Sequence, residues 1–313
     1  MKSPLVSVII PCFNVSAYVT KAILSIISQS YNNLEILIID DASTDDTLAQ
    51  IRSIKDDRIT LFEFKQNTQK IGGVNEVLQK SRGDYILFQD ADDWSEPNRI
   101  EEQLKEFEAD KELGICFTNF RYTGKKIFLP GKLALTNDEL RNGFFNFFYP
   151  VENKVTLPVC AGMMISKDAL NQTKGYHPYF AGRVGEDIHW VYRILKHFKG
   201  ITINTVLYNY VIREGSLTQL QFAGREARYT YSWQLLSKII HKDIYEGIDV
   251  LDPVNVDLLK QLELEACEEA LVQNIQLFNE TTKKYKNSVS FKIGRFILTP
   301  LRWLKSVKNK YAD

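Results

Sequence analysis

An α/β fold built on a mainly parallel sheet is what this sequence predicts, and three observations predict it. Short apolar runs alternate with helix-period segments over the first 120 residues, the mark of successive βαβ units. Acidic residues follow two of those runs, Asp40-Asp41 and Asp90-Ala91-Asp92-Asp93, at the strand ends where open parallel sheets bind ligands. The composition, 313 residues with 44% hydrophobic and 25% charged, is that of a chain able to bury a real core.

The elements follow in order. Val6–Pro11 is an apolar run and predicts a strand, and Ala17–Gln29, apolar at 19, 22, 23, 26 and 27, predicts a helix. Leu34–Asp40 is the second strand, followed by a helix over Thr44–Ile54 with Ser43 as its expected N-cap. Ile59–Phe64, Tyr85–Phe88 and Gly114–Asn119 read as further strands, separated by helices at Gly73–Ser81 and Pro97–Asp110. From 121 to 220 the pattern loosens. The aromatic run from Phe144 to Tyr149 fits core or an acceptor-side wall. A strand is expected at Ala161–Ile165, a loop at Gly175–Gly185, a helix from Glu186 to Phe198 and a strand over Thr202–Tyr210. Residues 222 to 280 read as two or three helices.

Several function classes are excluded or disfavoured. The formal net charge is zero, so no global field points to nucleic acid. The four cysteines are scattered without metal-ligand or disulfide spacing, which fits reduced thiols in a cytoplasmic protein. His177, His189, His197 and His241 lack zinc spacing. There is no GxGxxG after the first strand, no GxxxxGK[ST] loop and no GxSxG elbow. The apolar stretch Val6–Ile10 is too short for a signal peptide, and no run is long enough to span a bilayer.

Asp90-Ala91-Asp92-Asp93 is the most informative feature. Three carboxylates at the mouth of a strand repel one another, and a divalent cation inverts that repulsion. A hard cation held by one or two carboxylates completes its shell with ligand phosphates, so the cluster suggests a metal–diphosphate site. A solvated acidic turn, or an Asp capping a helix that starts near Trp94, is the structural alternative.

The ordered set of carboxylates, with its flanking residues, resembles glycosyltransferase family 2. Val6-Ser7-Val8-Ile9-Ile10-Pro11-Cys12-Phe13-Asn14 is similar to the family's opening strand and loop. Ser25 to Gln29, Tyr31 and Glu35 through Asp45 are similar to its second block. Asn75, Gly83-Asp84-Tyr85-Ile86, Asp90 to Trp94, Pro97 and Arg99 match its third, and Gly185-Glu186-Asp187 resembles its catalytic block. The resemblance implies a GT-A fold and an inverting, nucleotide-sugar-dependent transferase of hexosyl or N-acetylhexosaminyl type. It implies a catalytic domain over 1–220, with a nucleotide-sugar-binding half to 120 and an acceptor half beyond, and a helical extension over 221–313.

The same resemblance implies the roles. Pro11, Phe13 and Asn14 would line the base pocket, with Asp41 accepting the imide N–H of a uracil-like base. Asn75, Asp90 and Ala91 would belong to the donor site. Asp92, with Asp90, would hold Mn²⁺ or Mg²⁺, while Asp93 supports the loop. Asp187 would be the general base, with Glu186 orienting the acceptor; the structural alternative for Asp187 is a helix N-cap. The sequence departs from the family twice. Arg213 stands where family members often carry a metal-contacting His, and an Arg can clamp phosphate but not ligate a cation. The segment Asn67–Gly73 lacks the usual Gly and Arg, leaving Lys70 as the compensating charge.

Between Thr281 and Ala312 lie nine Lys or Arg and no Asp or Glu, interleaved with Phe291, Ile293, Phe296, Ile297, Trp303 and other apolar residues. Such a basic amphipathic segment suits an anionic membrane surface, or packs on its own domain with a solvated face. The expected activity is metal-dependent transfer of a sugar, UDP-linked, to a glycan or lipid-linked acceptor in surface polysaccharide synthesis. The expected location is the inner face of the cell membrane. A catalytically degenerate nucleotide-sugar-binding or scaffold protein is the rival reading, and a sugar-phosphate nucleotidyltransferase lacks its phosphate loop here.

Overall fold

The computed structural model describes residues 3–123, 134–146, 157–213 and 226–287. Four strands form the first half of the sheet: β1 (Val6–Cys12), β2 (Leu34–Asp40), β3 (Ile59–Glu63) and β4 (Tyr85–Phe88). β1 pairs in parallel with β2 and β4, and β2 with β3. β2 is buried along its whole length and β1 along all but Pro11, as continuous apolar runs between two helical layers should be. The pleat divides β1: Val8 and Ile10 face one core, Ile9 the other.

On one side lie α1 (Val19–Ile27), α2 (Thr47–Ser53) and α4 (Arg99–Ala109). α1 buries Val19, Ala22, Ile23 and Ile26, a stripe at helical spacing. On the other side α3 (Ile71–Lys80) buries Ile71, Val74, Val77 and Leu78. The second half of the sheet comes from β6 (Leu113–Thr123), β7 (Met164–Ser166) and β8 (Lys199–Val211), with β5 (Trp94–Ser95) at the edge. β7 runs antiparallel between β4 and β6, β8 is parallel to β6, and β5 is antiparallel to β8. The full order is β3-β2-β1-β4-β7-β6-β8-β5. Three more helices, α5 (Asn137–Phe145), α6 (Lys167–Thr173) and α7 (Glu186–His197), cover this half. α8 (Glu226–Glu246) and α9 (Val256–Asn287) follow. Leu235, Leu236, Ile239 and Ile240 of α8 and Leu262 and Ala266 of α9 belong to the same core as Trp190 and Ile194 of α7. The C-terminal helices therefore share one apolar interior with α7 and the sheet.

Several sequence expectations need correction. Ser43 caps no helix: α2 starts at Thr47, and the Ser43 hydroxyl instead accepts from the Asn14 N–H at 3.1 Å. Trp94-Ser95 is a strand, so no Asp of the acidic cluster caps a helix there; Asn98 holds the cap position of α4. β6 runs on to Thr123 because β8 offers it a partner to Val211. Cys160–Gly162 forms a single 3-10 turn before β7. α5, unanticipated in the loose middle region, opens on a capping box between Thr136 and Glu139. Phe144 is fully buried at the end of α5 and stacks on Phe117. Phe145 packs edge-on against Tyr192, whereas residues 147–149 of the aromatic run and the basic segment Ser290–Lys310 lie outside the described residues.

Candidate functional site

The C-terminal ends of β1, β2 and β4 meet at one cleft of about 220 Å³. Pro11, Phe13, Asp41, Lys70, Asp90, Ala91, Asp92, Tyr210 and Arg213 line it, with Cys12, Val15 and Ile39. Seven of the residues expected at the donor site are thus brought together. Phe13 is 46% exposed at the rim, an aromatic face left open for a planar ligand.

Asn14 and Asn75 do different work. Asn14 Oδ1 accepts from the Thr44 N–H at 2.8 Å, so its side chain stitches the loop after β1 to the loop after β2. Asn75 is spent on the backbone of Tyr176: its amide donates to the Tyr176 carbonyl at 2.8 Å and its Oδ1 accepts the Tyr176 N–H at 3.0 Å. It braces the start of the loop leading to α7 and does not line the cleft, contrary to expectation.

Asp41 is nearly buried, and its Oδ1 accepts from both the Thr68 N–H at 2.7 Å and the Thr68 hydroxyl at 2.8 Å. Oδ2 accepts from the Lys70 N–H at 3.2 Å. These bonds hold a strained turn, because Gln69 and Lys70 both have left-handed backbones (φ 59 and 67). The strain turns the Lys70 side chain toward the acidic groups. Its Nζ lies 3.9 Å from Glu186 Oε1. Burial alone would lower the Lys70 ammonium, but Asp90, Glu186 and Asp187 around it hold it well above its usual value.

Among the described residues, Asp90, Asp92 and Asp93 are the one trio whose carboxylate oxygens lie within 4.8 Å of one another. Burial pushes Asp90 up, Lys70 opposes, and Asp92 and Asp187 add to the rise. Asp93 is 2% exposed, and its two oxygens accept from the Tyr208 hydroxyl and the Val211 N–H, each at 2.7 Å. It ties the acidic loop to β8. Asp92 Oδ2 accepts from Arg213 Nε at 2.5 Å. Arg213 therefore neutralises the expected metal ligand directly, a contact the sequence did not suggest.

Glu186 and Asp187 open α7, and the cap position is Gly185, so Asp187 is not the cap. Gly185 has φ +100, and a Cβ there would come within 2.6 Å of Leu236 on α8. Only glycine fits both the backbone and the space. Asp187 Oδ1 accepts the Ile188 N–H at 2.7 Å, and burial, with the charge of Asp187 adding to it, pushes the Cys160 thiol well above its usual range. No sequence signal pointed to Cys160. Burial raises Glu186 from 4.5 to about 7, with Asp187 adding and Lys70 opposing.

That shift predicts a pH dependence. Folding holds a proton on Glu186 that the unfolded chain releases between pH 4.5 and about 7. The stability it contributes is complete below 4.5 and lost as pH rises through 7. Glu186→Gln removes the titration, so the variant should gain on wild type in urea midpoint between about pH 5 and about pH 8. Parallel pH profiles of the two proteins would show that Glu186 titrates normally.

Comparison with known proteins bears on the family and the fold. The Glycosyl transferase family 2 model matches residues 7–173. The putative glycosyltransferase EpsE of Bacillus subtilis is 32% identical over 244 residues, 73% of this chain and 78% of that protein. An Escherichia coli protein named as a UDP-Glc:alpha-D-GlcNAc-diphosphoundecaprenol beta-1,3-glucosyltransferase, WfaP, is 36% identical over 125 residues, 40% of this chain and 49% of that one. The mannosyltransferase PcManGT of Pyrobaculum calidifontis, solved with GDP-Man and Mn2+, superposes with a TM-score of 0.56 at 18% identity, covering 99% of this chain and 88% of that one. At that identity the likeness establishes the fold. This chain belongs to glycosyltransferase family 2.

Proposed function

We propose that the chain is an inverting, metal-dependent transferase that moves a sugar from a UDP-linked donor to a glycan or lipid-linked acceptor in surface polysaccharide synthesis. One observation carries this reading: the cleft joins an open aromatic rim at Phe13 to a converging set of acidic groups, and Lys70 links that set to Glu186 and Asp187 on α7. The name of WfaP supports a UDP donor and a lipid-linked acceptor, and that of EpsE supports glycosyl transfer over a similar length.

The residues suit a hard cation. Asp90 and Asp92 offer oxygen ligands within 4.8 Å of one another, in a place where burial and the neighbouring Asp92 disfavour the charge of Asp90. Mn²⁺ or Mg²⁺ held there supplies positive charge to the leaving diphosphate. Arg213, which can donate two N–H groups to a phosphate, flanks the same position, and Lys70 adds charge from the opposite wall. Pro11 and Phe13 enclose the base, and Asp41 accepts its imide N–H with the lone pairs that Thr68 and Lys70 leave. Asp187 takes the proton of the acceptor hydroxyl as its oxygen bonds to the anomeric carbon, while the bond to the diphosphate breaks and UDP departs. The Ile188 N–H holds the Asp187 carboxylate in place for that transfer.

Calorimetry tests the donor site. Asp92→Asn should lose most of the Mn²⁺-dependent gain in UDP affinity, and wild-type affinity with an undiminished gain would remove Asp92 from the metal site. GDP, titrated alongside, should bind more weakly than UDP. Turnover tests the base: Asp187→Asn should bind UDP normally and slow transfer about 10²–10⁴-fold. A wild-type rate on the acceptor would place the base elsewhere, with Glu186 next. A degenerate binding protein would show UDP binding and no transfer in either form.

No helix among the described residues is long and apolar enough to cross a membrane. The reading places the enzyme at the inner face of the cell membrane through the basic segment Ser290–Lys310, whose Lys and Arg would each contribute about 1 kcal/mol near an anionic surface. Truncation after Asn287 should abolish co-sedimentation with anionic vesicles at low salt and leave UDP binding intact. Equal pelleting of both forms would remove the membrane from the reading.

A further inference from the structure

α9 has two apolar faces, and the core uses one of them. Leu262, Ala266 and Ala270, at fourfold spacing, are buried on the side that packs toward α8. On the opposite side Leu264, Leu271, Phe278 and Tyr285 repeat every seven residues, and each is 60–70% exposed. Ile275 and Val272, more than half exposed, widen the stripe between them. A sevenfold apolar repeat keeps to one face of a helix over several turns and is the seam along which helices pair. From Leu264 to Tyr285 it runs about 32 Å. Single exposed apolar residues are ordinary on a surface, but a ruled stripe of this length marks an interaction face.

The charges along the helix indicate what fits it. In the N-terminal half Asp257 pairs with Lys260 and Glu263 with Arg183, while Glu265 and Glu269 share Lys238 and Glu268 adds a further acid, so this half keeps a net negative charge. The last turns carry Lys283, Lys284 and Lys286 with no acid after Glu280. A second copy laid antiparallel sets the acidic half of each helix against the basic end of the other. A parallel copy sets like against like. The apolar repeat obeys the same symmetry. Pairing Leu264 with Tyr285 of a second copy places Leu271 opposite Phe278, since both pairs are centred between Asn274 and Ile275. A surface that is its own complement under a twofold rotation is what an isologous dimer requires.

We propose that α9 is a dimerisation helix, pairing antiparallel with α9 of a second copy about a twofold axis near Ile275. The interface leaves the donor cleft open, because the cleft lies at the ends of β1, β2 and β4 and no α9 residue lines it.

Three measurements on the full chain test this. Light scattering should give the mass of a dimer, and the double variant Leu271→Glu, Phe278→Glu should halve that mass while UDP binding, read by calorimetry, is unchanged. Both residues are exposed, and retained UDP binding certifies the fold of the variant. Ile275→Cys, in a Cys267→Ser background, should cross-link into a covalent dimer on mild oxidation, because its symmetry mate lies about one residue away along the seam. The exposed native Cys267 should not cross-link, since its mate would lie about 22 Å off in the antiparallel pair. Cross-linking through Cys267 would mean a parallel pair and overturn the proposal. A monomeric full chain would also overturn it. In that case, dimerisation only after truncation behind Asn287 would show that the chain's own C-terminal segment covers the stripe. Loss of anionic-vesicle binding in the double variant would assign the stripe to lipid.

Discussion

The buried guanidinium of Arg99 is the interaction on which the acidic loop depends. Arg99 is fully inaccessible, and it donates to the Phe88 carbonyl at 2.9 Å, the Ser95 hydroxyl at 2.9 Å, Gln89 at 3.2 Å and Gln103 at 3.1 Å. These partners bracket Asp90–Asp93 from both sides, so the chain leaving β4 has one conformation. Burial pushes Arg99 down to about 10, while Tyr208, Asp93 and Asp90 favour its charge. Its guanidinium lies 4.9 Å from the Tyr208 ring, and the Tyr208 hydroxyl donates to Asp93. A buried positive charge with neutral hydrogen-bond partners is costly unless something nearby carries the opposite sign. Here Tyr208, Asp93 and Asp90 lie on the side that favours that charge.

Above that foundation two cations divide the carboxylates. Arg213 takes an oxygen of Asp92, and Lys70 faces Asp90, Glu186 and Asp187. Neither faces the carboxylate of Asp93, which is left to Tyr208 and the Val211 N–H and is pushed well above its usual range chiefly by burial. The loop thus separates two jobs within four residues. Asp93 is a fixed anchor, and Asp90 and Asp92 keep contact with the cleft. Lys70 gets its position from backbone strain, since two successive left-handed residues turn it inward and the Asp41 carboxylate holds that turn. A carboxylate at the end of β2 thereby sets the electrostatics around carboxylates at the end of β4 and the start of α7.

The parallel strands were legible because burial on both faces writes itself as an unbroken apolar run, and β2 matches Leu34–Asp40 residue for residue. α7 was legible from its period and the glycine before it. β5 was not, because two residues carry no period, and their pairing with Asn209 and Tyr208 is a long-range event. The capping box of Thr136 and Glu139 was a local signal for α5 that the surrounding irregularity hid. At the site, the acidic residues could be read from order and position. The partners could not. That Asn75 serves the Tyr176 backbone and that Arg213 meets Asp92 are contacts across 101 and 121 residues of chain. Sequence shows which groups have chemistry to offer, and the fold decides which of them are already engaged.

The C-terminal helices are part of that decision. Leu236 of α8 occupies the space a side chain at Gly185 would need, one residue before Glu186. Glu263 of α9 accepts from the Tyr179 hydroxyl at 2.6 Å and pairs with Arg183 at 3.2 Å, and Arg183 lies over the Tyr179 ring. The loop between Asn75's anchor at Tyr176 and the start of α7 is therefore gripped at both ends and in the middle. Surface ion pairs such as Arg183–Glu263 contribute little energy singly, but three restraints of different kinds on one short loop remove most of its conformational freedom. A general base depends on that loss of freedom, because its proton transfer needs hydrogen-bond reach to a particular oxygen. The C-terminal helices thus fix where α7 begins, and on the proposed reading that sets the position of Asp187.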